Sequence, residues 1–148
     1  MITVCKKSQN ILNQIKTIQN EVTAMEVLYN CLFVGIGGAI GSVTRYLTGL
    51  IPIKSQNSFP LTTLIINVLG AFCIGIIVAI AGRAKGFDPK LLLLLKVGFC
   101  GGFTTFSTFS LETVGLLQKG SYFTAGIYMA LSFVLCIFAI LLAQVIVK

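Results

Sequence analysis

Four long apolar runs divide the chain, from about Leu28 to Leu50, Leu61 to Ala81, Leu91 to Leu117 and Tyr122 to Val147. Each meets or exceeds the roughly 20 residues a helix needs to cross a bilayer core. Polar or turn-forming stretches separate them: Pro52 to Pro60, Gly82 to Pro89 and Gln118 to Ser121. Connections this short join antiparallel neighbours, so the pattern predicts an all-α, up-and-down bundle of four transmembrane helices at residues 28–148.

Residues 1–27 form an extension of different character. Ile11, Ile15, Ile18, Val22 and Met25 alternate spacings of four and three on a polar background. Three readings are open: a loosely ordered or disordered extension, an amphipathic helix lying at the membrane surface, or a coiled-coil contact. Met25 stands just before the first span and would serve as an alternative start.

Composition agrees with lipid as the solvent. The chain is 56% hydrophobic and 10% charged, against about 25% charged in a soluble domain. The net charge of +7 lies mostly outside the apolar runs, which suits lipid headgroups and topology signals and not nucleic acid. There is no histidine, and Cys5, Cys31, Cys73, Cys100 and Cys136 form no CxxC pair, so the cysteines read as small apolar filler. If all four runs span, Lys6, Lys7, Lys16, Arg83, Lys85, Lys90 and Lys148 share one side, and Lys54 and Lys119 the other. That bias places both termini inside. Without the first 24 residues it falls to four against two, weak enough for insertion in both orientations.

The polar groups within the runs carry the chemistry. In the first, Gly37 and Gly41 form a GxxxG for close helix packing. Arg45 is either an interfacial anchor or a fixed positive charge at a vestibule that gathers anions. In the second, Asn67 is either an inter-helix hydrogen bond or an NH₂ donor facing a pore. The third holds Gly98, Gly101 and Gly102, then Thr104, Thr105, Ser107, Thr108 and Ser110. Gly101 and Gly102 are placed to break the helix mid-membrane, freeing carbonyls that a cation could satisfy. The alternative is a kinked helix satisfied by its own hydroxyls. Phe103, Phe106 and Phe109 fall near one face, as packing or as electropositive ring edges toward an anion. Glu112 pairs with a base or lies at the water boundary. Tyr128 and Ser132 stand one turn apart as two hydroxyls on the fourth helix. The buried polar groups are thus mostly neutral donors, which suits a small, strongly hydrated anion that must not be trapped.

Gly37-Gly-Ala-Ile-Gly41 through Arg45-Tyr46, Asn67 within Leu64-Ile-Ile-Asn67, and Gly98-Phe-Cys-Gly-Gly-Phe-Thr-Thr-Phe-Ser-Thr-Phe109 resemble the Fluc (CrcB) fluoride channels over about residues 26–148. The resemblance implies a passive, selective fluoride channel in the plasma membrane of a bacterium, exporting cytoplasmic fluoride against its toxicity. It implies an antiparallel, dual-topology homodimer (or a heterodimer with an oppositely oriented paralogue). It also implies two pores and a structural Na⁺ at the dimer centre, on the carbonyls of Gly101 and Thr104. Phe106 and Phe109 would line the fluoride path with Asn67; Thr105, Ser107, Thr108, Tyr128 and Ser132 would extend its polar track, and Arg45 would stand at the vestibule. Cys136 falls where that family can place a hydroxyl.

Other classes fit less well. A proton-coupled exporter of cationic drugs needs a membrane-embedded carboxylate; the first run has none, and Glu112 sits past the hydroxyl run. A structural subunit has no use for the donor track, and no activated nucleophile or metal cluster marks an enzyme.

Overall fold

A computed structural model describes residues 2–51 and 59–148, with side chains from Lys16 onward except Thr17 and Ile18. Helix α1 covers Ile2–Gly49, α2 Leu61–Arg83, α3 Pro89–Leu92, α4 Gly101–Phe103, α5 Phe106–Gln118 and α6 Tyr122–Ile146; a π-helical stretch, Leu93–Cys100, joins α3 to α4. Four segments are long and apolar enough to cross a membrane: Gln19–Gly49, Leu61–Arg83, Pro89–Gln118 and Tyr122–Ile146. This bears out the four-helix reading. Helix α1 starts well before Leu28, so residues 2–27 are helical and run into the first span. The side chains of Ile11, Ile15 and Ile18 lie outside the described set, as do Lys54 and most of the first loop; Val22 and Met25 are exposed. Phe33–Lys148 form one compact unit and the preceding residues another. The architecture discussed below belongs to Phe33–Lys148.

Local chemistry explains the ends of the third span. Asp88 caps its start, its carboxylate accepting from the Lys90 N–H at 2.8 Å, with Pro89 at the first helical position. Gly120 ends α5 at φ +74°. The Ser121 N–H reaches back to the Leu116 carbonyl at 2.9 Å, and this left-handed cap favours glycine.

Large apolar side chains face outward: Leu32, Ile36, Ile40, Val43 and Leu47 on α1 are each more than half exposed. The buried cluster is small, built from Leu64, Phe109, Leu116, Ala125 and Tyr128 with Phe59, Leu61 and Val68 against it. In lipid, apolar area does not drive helix association; close backbone approach and hydrogen bonds do. The glycines provide that approach. A Cβ on Gly37 would lie 2.2 Å from the Leu94 carbonyl oxygen, one on Gly41 2.2 Å from that of Phe99, and one on Gly98 2.8 Å from Gly37 Cα.

The third span is interrupted, as its glycines and hydroxyls led us to expect, but not at the glycines. Gly101 is right-handed helical (φ −65°, ψ −37°), and α4 continues through Gly102 to Phe103. The backbone extends at Thr104 (φ −78°, ψ 157°) and Thr105 (φ −148°, ψ 111°) before α5 begins. Gly102 serves packing instead: a Cβ there would meet the Gly38 carbonyl at 2.6 Å. Within the chain, a Cβ on Gly101 meets nothing within 4 Å.

Candidate functional site

Asn67 holds the break open. Its Oδ1 accepts from the Thr105 N–H at 2.8 Å and its Nδ2 donates to the Thr105 carbonyl at 3.1 Å. An unbroken helix would give the Thr105 N–H to the Gly101 carbonyl. The Thr108 N–H would likewise go to the Thr104 carbonyl, but it donates to Thr105 Oγ1 at 3.2 Å, capping α5. Gly101 and Thr104 are therefore the carbonyls whose helical donors have been diverted to side chains. Their neighbours are otherwise served: the Cys100 carbonyl accepts from the Thr104 N–H at 3.0 Å and its hydroxyl at 2.9 Å, and the Gly102 carbonyl accepts from Arg45 Nε at 3.2 Å.

The break makes two half-helices with opposite ends facing it. The carbonyl end of α4 favours a cation, and the N–H end of α5 favours an anion. In the first turn of α5 the N–H groups of Phe106 and Ser107 have no partner inside the helix. The hydroxyls of Thr105, Ser107 and Thr108 gather there: Thr105 Oγ1 lies 3.2 Å from Ser107 Oγ and donates to Thr108 Oγ1 at 3.0 Å. One Asn67 N–H also remains beyond the bond to Thr105.

A groove of about 540 Å³ lies along this break. Asn67, Gly101, Thr104, Thr105, Phe106, Phe109 and Ser132 line it, with Cys136, Phe133 and Lys96. Phe106 is 71% exposed while Phe109 is buried. Phe109 is held among three rings, with centroids 5.5 Å from Phe106, 5.1 Å from Tyr128 and 6.1 Å from Phe133, the last edge-to-face at 84°.

Four of the residues predicted from sequence do not line the groove: Arg45, Ser107, Thr108 and Tyr128. Arg45 is committed to the Gly102 carbonyl, where it ties α1 to the half-helix before the break. Tyr128 is fully buried behind Phe109, and its hydroxyl donates to Glu112 Oε2 at 2.7 Å. Ser132 reaches the groove, but its hydroxyl proton goes to the Tyr128 carbonyl at 2.7 Å. An anion drawing on Tyr128 or Ser132 as donors must first displace these bonds.

Among the described residues Glu112 pairs with hydroxyls and with no base. Its other oxygen accepts from the Thr63 hydroxyl at 2.8 Å, so two hydroxyls from α2 and α6 hold one carboxylate on α5. A carboxylate at this depth is costly unless so bonded. Thr63 was not singled out from the sequence. The available signal was a carboxylate in the third span with no cation in reach along its own helix, which required donors from elsewhere.

No group of three or more His, Cys, Asp or Glu side chains that could hold a metal occurs among the described residues. The diverted carbonyls of Gly101 and Thr104 are hard oxygen donors, suited to a hard cation and not to zinc.

The family model described as CrcB-like protein, Camphor Resistance (CrcB), matches residues 32–144. The chain is 47% identical over 116 residues to the fluoride-specific ion channel FluC of Shewanella denitrificans, covering 78% of this chain and 93% of that one. It is 40% identical over 123 residues to the protein of that name from Azobacteroides pseudotrichonymphae, covering 82% and 98%. The one from Shewanella loihica is 44% identical over 116 residues.

Proposed function

Taking as premise that this chain belongs to the CrcB family, a family of ion channels and not of enzymes, we propose that it is a passive, selective fluoride channel. Its work would be to release cytoplasmic fluoride across a bacterial plasma membrane and so limit its toxicity. The observation that carries this reading is the α5 half-helix. It starts inside the membrane, its N–H end and the exposed Phe106 stand at one groove that Asn67 and Thr105 also line, and α5 itself carries no cation there to bind the anion too tightly; the single charged lining side chain, Lys96, lies before the break. Donors replace the fluoride's water one by one, and the ring edges of Phe106 and Phe109 supply weak positive potential between them.

The groove is open along one chain, and we infer that a second copy in the opposite orientation closes it. Antiparallel pairing would bring two Gly101 and two Thr104 carbonyls together. These four oxygens would hold a structural Na⁺, which would join the two chains by satisfying carbonyls that neither helix satisfies. The loop charges beyond residue 24 favour a homodimer over a heterodimer with an oppositely oriented paralogue. A density map of the purified chain in lipid tests both points. Antiparallel subunits with a cation on these carbonyls are expected; parallel subunits, or a central water without short carbonyl contacts, would contradict the proposal.

The rings offer the direct functional test. Phe106→Ile and Phe109→Ile keep an apolar side chain but remove the electropositive edge. Each should cut fluoride flux by about two- to tenfold, the loss of roughly 0.5–1.5 kcal/mol of ring interaction at the barrier, while the purified protein stays monodisperse. Wild-type flux in both variants would return the rings to a packing role.

A further inference from the structure

Lys96 stands in the run Leu91-Leu-Leu-Leu-Leu-Lys96-Val, seven residues after Pro89 begins the third span. At 1.5 Å per residue that is about 10 Å along the helix. A full charge this far into an apolar helix is expensive, and such residues face a cavity or a partner and not lipid. Among the described residues Lys96 has no hydrogen bond or ion pair. It lies exposed in the π-helical stretch before the break, and it lines the same groove as Asn67, Gly101, Phe106 and Ser132. Every other lining side chain is neutral, and none is acidic. The ammonium therefore sets the sign of the field along that wall. Nothing among the described residues neutralises it, and its flexible stem lets it follow a mobile ion.

We propose that Lys96 is an anion-capture site of the conduction path, drawing a hydrated fluoride into the groove before the neutral donors take it. This rests on the fluoride-channel reading above. A single ammonium is a strongly hydrated point charge that attracts an anion without gripping it through two parallel bonds, as a guanidinium would. Capture by a full charge depends on ionic strength, because the Debye length shrinks from about 30 Å at 0.01 M salt to about 3 Å at 1 M. Hand-off to neutral donors at contact distance does not share that dependence.

The test is single-channel fluoride current through the purified full-length chain in planar bilayers, at low and high concentrations of an inert salt. Lys96→Gln should lower conductance by about three- to tenfold in low salt and approach wild type in high salt, as loss of electrostatic steering predicts. Lys96→Arg keeps the charge and should keep the wild-type salt dependence, whatever its two-point grip does to the absolute conductance. In Lys96→Cys, labelling the folded channel with a cationic thiol reagent should raise the low-salt current, and an anionic reagent should lower it, with the reagents on wild type as control. A Lys96→Gln channel that equals wild type in low salt, as a lysine reaching only for lipid headgroups would give, overturns the proposal. So does a loss that is the same at both salt concentrations, or a labelling effect that ignores the reagent's charge. A wild-type chain that passes no fluoride overturns the channel reading itself, whereas the preceding outcomes in a conducting channel overturn only the role of Lys96.

Discussion

Asn67→Asp should abolish fluoride flux. The carboxamide makes two bonds of opposite sense to one residue, accepting from the Thr105 N–H at 2.8 Å and donating to its carbonyl at 3.1 Å. Aspartate keeps the first bond and turns the second into a carboxylate oxygen facing a carbonyl oxygen. It also places a negative charge on the wall of a groove whose proposed cargo is an anion. The Thr105 carbonyl, which as N-cap keeps its intrahelical donor, loses a bond worth about 0.5–1.5 kcal/mol, and repulsion between the two oxygens adds to that. The flux in liposomes should fall at least about tenfold, since each 1.4 kcal/mol is a factor of ten. Asn67→Asp protein that is monodisperse, helical and fully active would remove Asn67 from both roles.

Gly41→Ala should be the most damaging conservative change for assembly of the fold. A Cβ at this position lies 2.2 Å from the Phe99 carbonyl oxygen and 2.9 Å from the Phe103 N. Both are backbone atoms in the third span, so no side chain can rotate away. The first helix must lift from the third, which also draws Arg45 from the Gly102 carbonyl. Overpacking in a rigid core costs about 1–3 kcal/mol and occasionally more, and the lost bond adds to it. Gly35→Ala is the control, because a Cβ there meets nothing within 4 Å. Helix propensity alone would make that change neutral or favourable by up to about 1 kcal/mol. Thermal unfolding followed by size-exclusion in detergent should show a large loss for Gly41→Ala and none for Gly35→Ala. Equal stability of the two would mean that the close approach of the first and third helices does not hold the fold together.

The spans were legible in the sequence because lipid imposes a length and a polarity that soluble folds do not. The ends of the second and fourth runs differ from α2 and α6 by two residues or fewer. The break in the third span was legible as an event but not in place. Glycine pairs invite a break by propensity, yet here Gly102 is used for its missing side chain against Gly38. The break itself is fixed by Asn67 and the Thr105 cap, two features whose partners are tertiary and not local. The same reason hid Thr63: its role exists only because α5 carries Glu112 to it and α6 carries Tyr128 to the same carboxylate. Arg45 was legible as a charge near a helix end. Its carbonyl partner, 57 positions along the chain, was not, because no periodicity within one helix encodes it.

The central claim is that this chain conducts fluoride and rejects chloride, and ion release from liposomes tests it most directly. Purified protein in vesicles loaded with fluoride should empty them within seconds once charge balance is provided. Vesicles loaded with chloride should retain their contents under the same conditions. Retention of fluoride, or release of chloride at a comparable rate, would contradict the account.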